Sequence, residues 1–332
     1  MTPVQPFRPS RRAVLATILG LCSAASFAQG APAFPTKPVT VITTFSAGSG
    51  PDAMMRAAGE KLAATWKTPV IIENRPGGAG LIAIQAAQGA TADGHTLLMH
   101  DGDALSALPS LFPSRGLRLL ETFDPVGVLY TTPFFVVVAS NSTWKSVGDL
   151  LAASRKAPEK TTYGTWGVGS AAHLHSAALL GLAGARMTHV PYKEMSLLYT
   201  GVSTGEIDWA LGAMASTQFA YQSGRVKYLA VARPSRLTSF PEVPTVAEAG
   251  GPAGFEASGF VALLLPKGAP QAIADKINKD LQAALASPEL RARYKTFNFD
   301  VAPLSPIETR RLLEARTSTY AQVARQNNIK LD

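Results

Sequence analysis

Nine short apolar, β-branched runs, at 39–45, 70–73, 96–100, 134–139, 161–164, 187–190, 209–214, 227–232 and 259–265, alternate with helical patterns along most of this chain. Strands of this length separated by helices need crossover connections, which build a mostly parallel sheet and place the chain in the α/β class. Three of the strand-to-helix junctions are rich in glycine: Phe45-Ser46-Ala47-Gly48-Ser49-Gly50-Pro51-Asp52, Asn74-Arg75-Pro76-Gly77-Gly78-Ala79-Gly80 and Tyr163-Gly164-Thr165-Trp166-Gly167-Val168-Gly169-Ser170. A helix start leaves backbone N–H groups unpaired and carries partial positive charge, so a turn without bulky side chains there can close around an anion. No reactive group accompanies these turns, which points to capture of an anionic small molecule more than to chemistry on it.

The helices are legible where caps and period agree. Met54, Ala58, Leu62 and Trp66 recur every four residues after Pro51, and Ile273, Ile277, Leu281 and Leu285 do so after Pro270. Ser305-Pro306-Ile307-Glu308 is a capping box that opens a last helix reaching about residue 326. Two stretches, 105–133 and 234–255, break the alternation and are dense in Pro, Gly and Phe. Read as switches between domains, they give a first lobe from 29–132 and 256–332 and a second lobe from 133–255, with a cleft between them that the glycine-rich turns face. The hinges then fall near 130–134 and 255–260.

The N-terminus reads as an export signal, residues 1–28. Arg8, Arg11 and Arg12 precede an apolar stretch from Ala13 to about Ala25, and Ser26-Phe27-Ala28 has the small-x-small pattern of a cleavage site. Arg11-Arg12 also fits a twin-arginine signal, and either route leads to the periplasm. Cys22, the only cysteine, lies inside that segment, and Leu21 before it is too bulky for a lipoprotein signal. The mature chain therefore has no thiol for a disulfide, a metal or a nucleophile. Removal of three arginines and no acid lowers the formal net charge by three, from +8 to +5. That excess favours acidic ligands by steering, while the absence of a basic run with interleaved aromatics speaks against nucleic acid. Beyond residue 28 no apolar run approaches the roughly 20 residues that span a bilayer.

An enzymatic reading rests on Gly167-Val168-Gly169-Ser170-Ala171-Ala172, which matches the G-x-G-x-x-G/A dinucleotide pattern after a strand. It would make the chain an exported α/β enzyme binding a phosphorylated or nucleotide ligand. The acid that should hold a ribose is missing where the next strand ends, at about Pro191, and the nearest is Glu194. His173 and His175, two apart on a helix, face apart and make no metal pair. His95, His100 and His189 at strand edges read as structural. Asp101 with Asp103, and Glu206 with Asp208, read as solvated turn acids. Asp52 is either a first-turn acid interacting with the helix dipole or a functional group whose carboxylate orients the turn or accepts a hydrogen bond from a ligand or a bridging water.

Seven segments together resemble, in order and spacing, the solute-binding proteins of tripartite tricarboxylate transporters, the Bug family. They are Pro38–Ile42 running into the first turn, Ile72-Glu73-Asn74-Arg75-Pro76-Gly77, Ala92-Asp93-Gly94-His95-Thr96-Leu97-Leu98, the turn from Tyr163 to Ser170 with His173-Leu174, His189-Val190-Pro191-Tyr192-Lys193, Gly205-Glu206-Ile207-Asp208, and Pro241 to Gly250. The resemblance implies a two-lobed periplasmic Venus-flytrap protein, each lobe a mostly parallel sheet flanked by helices. It implies a small organic carboxylate held by main-chain groups of the first and third turns, partly through water, and delivery to an inner-membrane permease. No cofactor, metal or catalytic residue is expected, and the protein is expected to be a monomer. The expected ligand-binding residues are Ser46, Ala47, Gly48, Ser49, Gly50, Asp52, Thr165, Gly167, Gly169, Ser170, His173 and Tyr192.

The chain departs from the family pattern at two places. Ala47-Gly48-Ser49 stands where Pro-Gly-Gly is usual, and Glu194-Met195 follows Pro-Tyr-Lys where Gly and a small residue are usual. A bulky acid at a backbone-approach position opposes a second carboxylate. Tyr163, Trp166 and Tyr192 leave room for a ring-bearing monocarboxylate.

Overall fold

The computed structural model describes residues 34–192 and 195–332, so the expected export signal and Cys22, together with Lys193 and Glu194, lie outside the described residues. All nine expected strands form: β1 (Val39–Thr43), β2 (Val70–Asn74), β3 (Thr96–Asp101), β4 (Phe123–Ala139), β5 (Thr162–Thr165), β6 (Thr188–Pro191), β7 (Trp209–Ala213), β8 (Val226–Val231) and β9 (Ser258–Pro266). Between them run α1 (Gly50–Trp66), α2 (Leu81–Gln88), α3 (Gly102–Leu111), α4 (Leu119–Thr122), α5 (Val147–Lys156), α6 (Ala171–Ala183), α7 (Met195–Thr204) and α8 (Met214–Gln222). After β9 come α9 (Gln271–Leu285), α10 (Pro288–Thr296) and α11 (Pro306–Gln326). The last of these opens with the expected capping box, both reciprocal bonds of Ser305 and Glu308 being present.

The strands lie in the order β2-β1-β3-β9-β4-β7-β5-β6, with β8 also on β4. Pairs β1–β2, β1–β3, β5–β6 and β5–β7 are parallel, each joined by a helical crossover. The antiparallel pairs all involve β4 or β9. These two strands also explain why the stretch 105–133 differs from its reading as an irregular switch. It holds most of α3, all of α4 and the first half of β4. Its Pro125 and Gly127 sit at a register shift, a second shift follows between Val128 and Tyr130, and Pro133 ends the pairing with β9. Proline cannot donate to a ladder, so it is tolerated in a strand at such bulges and edges. The stretch 234–255 does stay irregular, with one isolated bridge from Val231 to Thr245.

Strand β4 changes partners in mid-course. From Phe123 to Pro133 it pairs with β9, and from Phe134 to Ala139 with β7 and β8. Beyond that change it is buried on both faces, as the continuous apolar run Phe134–Ala139 requires. Phe134, Val136 and Val138 pack with Leu150 of α5 and Leu179 of α6, while Phe135 and Val137 pack with Leu198 and Val202 of α7. The strand period of two sends alternate residues to opposite layers. A separate core joins Ile42 and Leu98 to Phe123, Phe260, Leu264 and Leu313.

Helix α11 ties the two regions together. Its Tyr320 packs with Leu111 of α3 and Leu174 of α6. The Tyr320 hydroxyl donates to Asp103 Oδ1 at 2.5 Å and lies 3.0 Å from His175 Nε2. Arg316 approaches the same Asp103 oxygen at 3.5 Å. Asp103 is fully buried, which corrects its reading as a solvated turn acid, and burial pushes its carboxyl up to about 7 despite Arg316. Tyr320→Phe keeps the packing but leaves two buried polar groups short of a partner. We expect it to cost about 1–3 kcal/mol in urea unfolding, and an unchanged midpoint would show that the hydroxyl bonds are replaced at no cost.

Candidate functional site

A cleft of about 540 Å³ opens where β4 changes partners, floored by Tyr130, Thr132 and Phe134 of β4 and Gly259, Phe260 and Val261 of β9. All three glycine-rich turns reach it: the first through Thr44, Phe45, Ser49 and Gly50, the second through Ala79 and Gly80, the third through Trp166, Val168, Gly169 and Ser170. A second cavity of similar volume, beside Gln282 and Tyr294, is reached by none of them.

The first turn is held from behind. Asp52, which is buried, accepts the Gly48 N–H at 2.8 Å, two bonds from Arg56 at 3.0 Å, and one from Asn74 Nδ2 at 2.8 Å. Asn74, at the start of the second turn, also donates to the Phe45 carbonyl at 2.9 Å. Asp52 thus orients the turn. Burial alone would raise its pKa, but the bonds from Arg56, Asn74 and Gly48 outweigh burial and hold it below the usual carboxylate range. The Gly48 N–H is consumed inside the turn. What remains is the start of α1, where Gly50 and Asp52 lie ahead of the first intrahelical acceptor. Ser49 is its N-cap residue but forms no capping bond, and its hydroxyl is buried without a partner.

The third turn is braced in the same way. His173 Nδ1 accepts the Gly169 N–H at 3.0 Å, so that ring is neutral and Gly169 gives its donor to the protein. His173 stacks on His189 at 3.8 Å, and His189 Nε2 is 2.7 Å from the Thr165 hydroxyl, which in turn donates to the Gly167 carbonyl. Ser170 caps α6 through the His173 N–H, leaving the Ala171 and Ala172 N–H groups as the unpaired first-turn donors. Gly169 has φ +75°, and a Cβ there would meet Leu111 of α3 at 2.4 Å. Its lack of a side chain therefore serves packing against α3, and no space for a pyrophosphate opens at that glycine.

Of the twelve expected ligand-binding residues, Ser49, Gly50, Gly169 and Ser170 line the cleft. Asp52, Thr165 and His173 stand behind it as braces. Ser46, Ala47, Gly48 and Gly167 belong to the turns without lining the cavity. Tyr192 donates from its hydroxyl to Glu206 at 3.1 Å, away from the lining, and Tyr163 is buried in a core. Of the three aromatics expected to shape the pocket, only Trp166 lines it. The other rings come from Phe45, Tyr130, Phe134, Phe260 and Phe299, and Met195 lines it as well.

Among the lining residues that the sequence reading missed, two carry ionisable side chains next to each other, His100 and Asp101. His100, read as structural, is 2% exposed; its Nδ1 lies 2.7 Å from the Asp101 carbonyl, which assigns the proton to Nδ1 and leaves Nε2 as an unpartnered acceptor beside Gly80. Asp101, read as a solvated acid, is the N-cap of α3, accepting the Ala104 N–H at 2.8 Å, and burial raises its pKa. The available signal was positional: both end a strand that runs into a helix, as the glycine-rich turns do.

The description "Tripartite tricarboxylate transporter family receptor" matches residues 54–329. The chain belongs to that family. The receptor is 30% identical over 314 residues to a "UPF0065 protein in tcbD-tcbE intergenic region" of Pseudomonas sp. (strain P51), covering 94% of this chain and 93% of the relative. A structure from R. palustris with adipate matches with a TM-score of 0.79 at 25% identity, covering 90% of this chain and all of that one. MatC from Rhodopseudomonas palustris with bound malate matches with a TM-score of 0.75 at 26% identity, covering 87% and 99%. The receptor thus has the two-lobed α/β fold of periplasmic binding proteins and is a solute receptor of this family.

Two outcomes follow for the receptor's turns and histidines. Gly48→Ala and Gly169→Ala both place a side chain at positive φ, costing about 1–2 kcal/mol, but Gly48 has open space around it while Gly169 meets buried Leu111. Overpacking adds about 1–3 kcal/mol, so denaturant unfolding should rank Gly169→Ala as the more damaging; equal losses would mean Leu111 yields freely.

Burial depresses His100 and His189 to about 4 and His173 and His175 to about 3. The unfolded chain binds these protons first, so each histidine contributes stability above about pH 6.5 that is lost as pH falls toward 4. Asp103, raised to about 7, acts oppositely over about pH 4 to 7, and Asp101, also raised, acts in the same sense as Asp103, but four sites outnumber two. The urea midpoint should be lower at pH 4.5 than at pH 7, and a higher one would show that the raised acids dominate.

Proposed function

We propose that this receptor captures a small organic carboxylate in the cleft and delivers it, in the periplasm, to an inner-membrane permease of the tripartite tricarboxylate type. The observation that carries the reading is the convergence of two helix starts, each with unpaired N–H groups, on a cavity where the hydroxyls of Ser49 and Thr132 are buried without partners. Hydrogen bonds to a charged group contribute about 1.5–3 kcal/mol each, so three or four reach roughly the 8 kcal/mol of a micromolar complex before closure costs. The adipate and malate in the two R. palustris structures support the ligand class.

Residues 1–28 act in this reading as the export signal. The lobes are 29–132 with 256–332, and 133–255; the place where β4 exchanges β9 for β7 and β8 supports hinges near 130–134 and 255–260. In this reading the receptor works as a monomer and as a carrier without catalysis.

Native mass spectrometry of the purified full chain should release a low-mass carboxylic acid on denaturation. Small-angle scattering after adding that acid back to stripped protein should show a smaller radius of gyration. A released nucleotide, or turnover of the acid by pure protein, would overturn the binding reading. An unchanged radius at proven saturation would overturn the hinge.

A further inference from the structure

The carboxylate site explains one end of a ligand. The rest of the cleft wall is unlike that end. Six Phe, Tyr and Trp rings line it, Phe45, Tyr130, Phe134, Trp166, Phe260 and Phe299. They form organised pairs: Tyr130 and Phe299 stack at 3.9 Å with planes 7° apart, and Phe134 meets Trp166 edge-on at 5.9 Å. Aromatic walls favour flat, apolar bodies that stack or meet ring edges. No Lys or Arg is among the described lining residues. A second carboxylate on the ligand would leave water for a wall without a cation.

It would also meet Asp101. This acid lines the cleft and makes no ion pair among the described residues; its bonds come from the backbone N–H groups of Asp103 and Ala104. Burial already disfavours the charge on Asp101, so a second carboxylate beside it either faces a like charge that little solvent screens or forces Asp101 to hold a proton, and both oppose binding. As the N-cap of α3, Asp101 is fixed in place and cannot swing away without uncapping the helix.

We propose that the ligand is an aromatic monocarboxylate, and that Asp101 is the residue that rejects a second carboxylate. The proposal rests on the carboxylate-receptor reading above and narrows it. The cleft of about 540 Å³ is within the usual range for small-molecule sites. It sets this receptor apart from the two structural neighbours whose ligands, adipate and malate, carry two carboxylates.

The test is titration calorimetry of ligand-stripped full chain with benzoate, terephthalate, adipate and malate. Terephthalate is benzoate with one more carboxylate, so the pair isolates the second charge. Benzoate should bind at least about 10-fold more tightly than any of the three diacids. In Asp101→Asn, which keeps a good N-cap residue, the gap between benzoate and terephthalate should shrink several-fold; Asp101→Ser is a second cap-preserving variant should the first fold poorly. Adipate or malate binding as tightly as benzoate overturns the aromatic monocarboxylate and leaves the carboxylate receptor standing, as does an unchanged gap in both variants for the role of Asp101. Binding of none of the four acids overturns the monocarboxylate proposal, and only a non-carboxylate co-purifying molecule overturns the receptor reading as well.

Discussion

The continuous backbone of β4 is the constraint on which the rest depends. Its ladder is satisfied by β9 up to Pro133 and by β7 and β8 from Phe134 onward, so one strand is shared by two sheets. Buried peptide groups cannot be left unpaired cheaply, which confines any flexing to the change of partners itself. The same residues floor the cleft. In the proposed reading, a ligand seated there touches both sheets and the point between them, so its contact energy acts directly on their relative arrangement. The packing of α11 against α3 and α6, with Tyr320 between Asp103 and His175, spans the same division. Leu111 beneath Gly169 does so beside the cleft. Opening must break these contacts or carry them along.

Much of this was legible in the chain. Strands short enough to count and helices with proline starts and a capping box declare themselves because local propensity and tertiary role agree. The first half of β4 did not, because Pro125, Gly127 and Pro133 are breakers in isolation and only the bulged ladder with β9 makes them tolerable. The site was legible as turns and illegible as atoms. Gly48 and Gly169 look like open donors in sequence, yet their N–H groups are taken by Asp52 and His173, partners four residues on. Asp52 and His173 each spend their side chain bracing a turn, a role that spacing alone cannot separate from ligand contact. The aromatic wall was misassigned for a related reason: a strand's alternation puts Tyr163 in a core, while the rings that do line the cleft are scattered from residue 45 to residue 299 and share no motif.

The distribution of charge completes the account. The chain carries a formal net charge of +8, yet none of the described cleft-lining residues is a Lys or Arg. A diffuse surface excess draws anions in at long range and is screened by salt. Holding them is a different task. In the proposed reading, fixed dipoles at the starts of α1 and α6 accept one negative charge without the desolvation cost of a buried cation, and they favour a charge only within about a turn of the helix end. A guanidinium on a long side chain could follow a second carboxylate to wherever it lay. Dipoles anchored by Asp52–Arg56–Asn74 and by His173–His189 cannot, so the place of the first charge is set by the backbone and everything beyond it is left to the rings and to Asp101.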